Sequence, residues 1–338
     1  MATKSFISGC AGLTLSVDEK AFFQDEQPWG FILFKRNCDT PEQIKDLTAS
    51  LRETVAHENV PIFIDQEGGR VQRLGPPHWP KYPTGRFYGD LFHKDPRMGQ
   101  IAAFIGGYLI GHDLIELGIN ADCLPVLDVP VEGAHDVIGD RAYGLNPEIV
   151  AKLGGQAALG ALAAGVYPVI KHIPGHGRAA VDSHHELPRV DASREELEEI
   201  DFKPFQALCD LPMAMTAHVV YEALDPTAPC STSAKVVSEV IRGTIGFDGL
   251  LMSDDVSMNA LTGDIVERTS ACFAAGCDSV LHCNGKMDEM QAVAANSPVL
   301  TGEAKRRADA VFEFSNPDLD IDVDEAREDF EKLMSEIS

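Results

Sequence analysis

The sequence predicts an α/β fold, a single (β/α)8 TIM-type barrel over residues 1–314, with an acidic C-terminal tail at 315–338. Three observations predict it. Eight short apolar runs recur along the chain, with plausible helices between them. The runs are continuously hydrophobic, not alternating, as strands buried on both faces of a parallel sheet require. Charged and polar residues gather just past the ends of those runs, where a parallel barrel carries its chemistry.

The runs lie at 6–10, 30–34, 61–65, 119–128, 166–171, 213–218, 249–254 and 278–283. Between them, Thr40 followed by Pro41 opens a helix as cap plus first-turn proline. Asn146-Pro147 opens another, and Ser193 a third with Glu195 and Glu196 in its first turn. An open doubly wound sheet is the alternative to a closed barrel, but no G-x-G-x-x-G follows a strand, which counts against its dinucleotide-binding version. From about Asn316 the chain turns acidic (NPDLDIDVDEAREDFEKL), which predicts a solvated tail ending in a short surface helix.

Bulk properties bound the function. A chain of 338 residues, 44% hydrophobic, can bury one large core. Its net charge of -25 argues against nucleic acid or an anionic membrane as partner, because the surface repels phosphates. The eight cysteines are scattered and form no C-x-x-C pair, which predicts buried reduced thiols in a cytosol rather than a zinc ribbon or disulfides. Ile7-Ser8-Gly9-Cys10 imitates a lipoprotein cleavage box, but only MATKSF precedes it, far short of an apolar signal stretch. No run approaches the roughly 18 apolar residues of a membrane span. The expectation is a cytoplasmic protein with no membrane contact.

Read in order, the ends of the runs have unusual content. The third gives Asp65-Gln66-Glu67-Gly68-Gly69-Arg70-Val71-Gln72-Arg73, and the fourth Asp128 and then Asp140-Arg141. The fifth gives Lys171-His172-Ile173-Pro174-Gly175-His176-Gly177, then Asp182-Ser183-His184-His185. The sixth ends Thr216-Ala217-His218 and the seventh Ser253-Asp254-Asp255. Charged residues closing apolar strands are costly unless paired or used, and five such ends on one rim point to a polar ligand site.

These stretches carry a resemblance. IDQEGGRVQRL at 64–74, IGDRAYG at 138–144, KHIPGHG with DSHHELP at 171–188, MTAHVVY at 215–221 and GFDGLLMSDDVSM at 246–258 resemble the β-N-acetylhexosaminidases of glycoside hydrolase family 3. The likeness is to the bacterial cytoplasmic enzymes that recycle peptidoglycan, and it runs to about residue 300. Ile173, Ala142 and Asp140 depart from the expected pattern, and none of them removes a catalytic group.

The resemblance implies roles. Retaining glycoside hydrolysis wants a carboxylate below the anomeric carbon and a proton donor beside the leaving oxygen. Successive strand residues face opposite ways, so Asp254 and Asp255 should not share a role. The resemblance assigns the nucleophile to Asp254 and leaves Asp255 to structural bonds, although a lone Asp here would be read as a helix cap. It assigns the acid/base pair to Asp182 and His184, where a carboxylate beside an imidazole favours the protonated ring. It gives Asp65, Arg73, Arg141, Lys171 and His172 to the substrate. The plainer alternatives are a rim ion pair between Arg73 and Asp65, a helix-capping Arg70, and a core histidine at His218. A zinc site built from His172, His176, Asp182, His184 and His185 is the competing chemistry, but the resemblance implies no metal and no cofactor. The expected activity is an exo-β-N-acetylglucosaminidase, a monomer acting on small muropeptide-type fragments. The alternatives are a phosphorylase, a broad β-glycosidase, or a sugar-binding regulatory barrel.

Overall fold

The computed structural model describes residues 2–133, 136–179, 187–314 and 319–336. Its centre is a closed barrel of eight parallel strands in chain order: β1 (Lys4–Gly9), β2 (Pro28–Leu33), β3 (Ile62–Ile64), β4 (Ala121–Asp122), β5 (Tyr167–Ile173), β6 (Met213–Thr216), β7 (Leu250–Asp255) and β8 (Ser279–His282). β8 closes on β1, with Ile7 opposite Leu281. Each of the eight apolar runs overlaps one of these strands.

Side-chain alternation explains why the runs are continuously apolar. One set, including Ile7, Ile32, Phe63, Val169, Met215, Met252 and Leu281, fills the barrel interior. The residues between them, including Phe6, Phe31, Ile62, Ile64, Ile170, Ala214, Leu251 and Val280, join the larger cluster under the helices. Both faces of each strand are thus withdrawn from water. All eight cysteines are thiols; seven are buried and Cys209 is half-buried.

The helices start where cap chemistry directs. Thr40 caps Pro41–Arg52 by accepting from Gln43 N, and Asn146 caps Pro147–Ala163 through Glu148 N and Ile149 N. Ser193 forms a capping box with Glu196. Among the described residues, no helix is long and apolar enough to cross a membrane.

Two expectations change. The fourth run, expected as a strand over 119–128, pairs as a strand only at Ala121–Asp122. Pro125 has no N–H to continue the ladder, and beyond it Val126 makes a single bridge to Lys171. The acidic segment does end in a helix, Val323–Ser335, but that helix is docked and not merely solvated, with Ala326 and Phe330 buried. Phe330 packs 6.3 Å from the Tyr82 ring and 6.4 Å from Tyr88, and Arg327 pairs with Asp113 of the helix Pro96–Ile115.

Candidate active site

Above the barrel interior lies a cavity of ≈ 320 Å³, near the lower end of ligand pockets at about 300–1,000 Å³. Ile32, Met215 and Leu281 line it from the barrel interior, and charged residues supply much of the rest. Asp65 is the first residue after β3. Glu67 follows in a hairpin of Gln66–Gly68 and Val71–Gln72. Gly68 and Gly69 turn that hairpin with φ of 96° and 58°, and a Cβ would strike the Pro83 carbonyl or the Thr84 side chain. β5 brings Lys171 and His172, joined by a cis peptide. Arg141 comes from the short turn Gly139–Arg141, and Asp254 from the end of β7.

The charged groups form an alternating row. Lys171 Nζ, in a residue only 1% exposed, lies 2.8 Å from Asp65 Oδ1 and 2.7 Å from Glu67 Oε1. Arg141 grips both Glu67 oxygens, at 2.8 and 2.7 Å, and Arg73 Nη2 donates to Asp65 Oδ2 at 2.9 Å. Burial alone would raise both carboxyls. Arg141 and Lys171 outweigh it at Glu67 and hold that group at about 2. Lys171 and Arg73 hold Asp65 well below the usual carboxylate range. Burial likewise opposes the charge on Lys171, and Asp65 and Glu67 restore it. The row is therefore fully ionised at neutral pH. A sugar hydroxyl both donates and accepts, so fixed cations alternating with carboxylates suit a ring of hydroxyls.

The imidazoles are set differently. Asp128 accepts from His172 Nδ1 at 2.7 Å and from the His172 backbone N at 3.1 Å. Burial would raise the Asp128 carboxyl, but His172 draws it down, so Nδ1 carries the proton and Nε2 is left for other partners. His176, 5.5 Å away between ring centroids, is pulled to about 4 by burial and by His172, and is neutral at pH 7. His218 is a satisfied buried histidine, bonded to Ser231 Oγ at 2.7 Å and to the Asp255 carbonyl at 3.1 Å. Asp255 accepts from Ser257 N, Ser257 Oγ and Cys283 N, so it braces the end of β7. Asp254 lines the cavity.

Of the residues expected at the site, Asp65, Arg73, Arg141, Lys171, His172 and Asp254 come together around this one cavity. Asp182 and His184 lie outside the described residues. Arg73 and Asp65 do pair, and both also face the cavity, so the two readings of them are compatible. Arg70 is structural: it donates to the carbonyls of Asp136, Val137 and Ile138, ahead of the turn that carries Arg141. Of the proposed zinc ligands only His172 and His176 are described, and Asp128 occupies Nδ1 of the first. Among the described residues no group of three or more His, Cys, Asp or Glu side chains could hold a metal ion. Glu67 and Asp128 went unassigned in the sequence. Glu67 could have been found, because alternate residues of an extended strand share a face and Asp65 was already chosen.

The glycosyl hydrolase family 3 N-terminal domain matches residues 11–310. The chain belongs to glycoside hydrolase family 3. A β-hexosaminidase of Alkalilimnicola ehrlichii is 39% identical over 280 residues, 82% of this chain and 79% of that protein. Among solved structures, NagZ of Neisseria gonorrhoeae in complex with N-trifluoroacetyl-D-glucosamine superposes with a TM-score of 0.85 at 31% identity, covering 99% of this chain and 97% of the other. A family 3 β-N-acetylglucosaminidase from Paenibacillus superposes with a TM-score of 0.83 at 30% identity. There the match covers 97% of this chain but 66% of that longer protein. This family 3 member is thus a glycoside hydrolase of the β-hexosaminidase type on a (β/α)8 barrel.

Proposed function

We propose that this family 3 hydrolase is a retaining exo-β-N-acetylglucosaminidase that removes terminal non-reducing N-acetylglucosamine from muropeptide-type fragments. One observation carries the reading: Asp254 lines the same small cavity as the row Arg73–Asp65–Lys171–Glu67–Arg141. A cavity of ≈ 320 Å³ suits one terminal sugar held by its hydroxyls, with Asp254 as the attacking carboxylate. The amino-sugar complex of the gonococcal neighbour supports an N-acetylated substrate.

In this scheme an Asp254 oxygen attacks the anomeric carbon. The glycosidic bond breaks as the His184 imidazolium gives its proton to the leaving oxygen, with Asp182 holding the ring. The neutral imidazole then takes a proton from water, whose oxygen attacks the same carbon and releases the Asp254 carboxylate. Two inversions return the original β configuration. The enzyme acts in the cytoplasm as a monomer, without cofactor, membrane or nucleic acid. Residues 1–314 form its catalytic domain and 315–338 an acidic extension.

The test is a rate comparison on chromogenic β-N-acetylglucosaminide, β-glucoside, α-anomer and galacto epimer, with the first-formed anomer read by NMR. A site whose polar groups bond the acetamido arm should reject the β-glucoside by at least about 100-fold. Equal rates on the two β-substrates, or a first-formed α-anomer, contradict the proposal. Glycosyl phosphate formed when phosphate is added would reassign the enzyme as a phosphorylase.

A further inference from the structure

The ladder of β7 is irregular where it carries Asp254. Met252 stands opposite Ser279 of β8, and the next partners are Asp255 and Leu281, so three steps on one strand meet two on the other. Asp254 lies inside that slip, and a bulge of this kind re-aims side chains and interrupts local pairing. A line of hydrogen bonds reaches it from the neighbouring strands. Asp254 Oδ1 accepts from Asp255 N at 2.8 Å, and Asp255 Oδ1 accepts from Cys283 N at 3.1 Å. Cys283 is the first residue after β8, and its carbonyl accepts from Arg36 Nη2. Arg36 stands in the short turn Lys35–Asn37 that follows β2. Its Nε donates at 3.0 Å to the carbonyl of Cys10, the first residue after β1. The register of β1 with β8 ends at Ser8 and His282, so the guanidinium joins these two strands just past their last rung. Gly9 leaves room for it: a Cβ there would stand 2.5 Å from the Cys283 carbonyl oxygen and 3.1 Å from Arg36 Nη2. The same guanidinium lies over the Phe34 ring, 5.1 Å from its centroid.

We infer that Arg36 is a positioning residue for Asp254: by clamping the ends of β1 and β8 it fixes Cys283 and, through Asp255, the aim of the attacking carboxylate. The inference rests on the reading of Asp254 as the nucleophile. Neither Arg36 nor Gly9 lines the sugar cavity, so the effect should fall on the covalent step and not on sugar binding. A guanidinium fork reaches two carbonyls at once, and a lysine ammonium does not reproduce that geometry. Nucleophilic attack tolerates little displacement, since misplacement by about 1 Å can cost about 100-fold in rate.

The test uses Arg36→Lys, which keeps a cation beside Phe34 and loses the fork. Labelling by a fluorinated slow substrate is followed against its concentration, which separates the rate at saturation from the concentration at half-saturation. A displacement of about half an ångström should lower the saturating rate about tenfold and leave the half-saturating concentration within about twofold. Gly9→Ala pushes the Cys283 carbonyl from the other strand and should show the same split, which decides the matter if Arg36→Lys does not fold. An unchanged saturating rate in the folded variants, or a half-saturating concentration that rises as much as the rate falls, overturns the inference and leaves Asp254 as the nucleophile. Failure of the parent enzyme to label on Asp254 overturns both.

Discussion

Replacing Glu67 with Gln tests the charged row at its most connected point. Glu67 is 7% exposed and is the shared partner of Lys171 and Arg141. Its carboxyl lies at about 2, against an ordinary 4.5, despite burial, which pushes the other way. A displacement of that size corresponds to about 3 kcal/mol in favour of the charged form. Glu67→Gln keeps the shape, removes the charge, and turns an amide NH2 toward one of the two cations. At pH 7 the variant should be less stable by about 3 kcal/mol, which for a chain of 338 residues is a Tm lower by about 4–5 °C. Because the folded value is depressed, Glu67 stabilises the native state above pH 4.5, and this contribution is lost as the pH falls toward 2. The deficit of the variant should therefore shrink to about half by pH 3. Denaturant melts at pH 7 and pH 3 read both quantities, and KM should rise as Lys171 and Arg141 lose their shared anchor. A deficit equal at both pH values, or none at pH 7, would refute the reasoning.

Other outcomes follow from the same geometry. His184→Ala should lose activity mainly on substrates with poor leaving groups and accumulate the glycosyl-enzyme on activated ones, and Asp182→Asn should do so more mildly; a chelator should change nothing, and metal-dependent recovery would indicate the zinc site instead. Arg73→Lys removes a guanidinium that both bonds Asp65 and lies 5.3 Å over the Phe34 ring, so KM should rise about tenfold with a smaller change in kcat; an unchanged KM would remove Arg73 from the substrate site. Phe330→Ala opens a gap between the C-terminal helix and Tyr82 and should lower Tm by about 4 °C. No residue of that helix lines the cavity, so kcat/KM on an aryl substrate should hold, and a fall in it would tie the helix to the site.

The barrel was legible because strands buried on both sides must be continuously apolar, and loops or helices cannot easily mimic that eight times over. The fourth strand was over-extended because apolar character alone does not show that, past Asp122, the run bonds β5 only irregularly, through the Leu124 and Pro125 carbonyls and Leu127 N. The C-terminal helix was expected, but its docking was missed because net acidity masked the spacing of Ala326 and Phe330, which places both on one helical face. At the site, polar residues at strand ends marked the rim, but partners did not show. Asp128 and His172 are 44 positions apart and meet only through the fold. Glu67 sat in plain view beside Asp65. Its work, joining Lys171 to Arg141, depends on side chains from two distant elements and could not be read from its own neighbours.

The central claim is that Asp254 becomes covalently glycosylated. A fluorinated slow substrate, which lets the first step proceed and stalls the second, should add one sugar to the enzyme. Mass spectrometry of the digested adduct should place it on the peptide containing Asp254. Asp254→Asn should take up no sugar, and Asp255→Asn should still be labelled. A label on any other carboxylate, or no label while the substrate is consumed, would contradict the account.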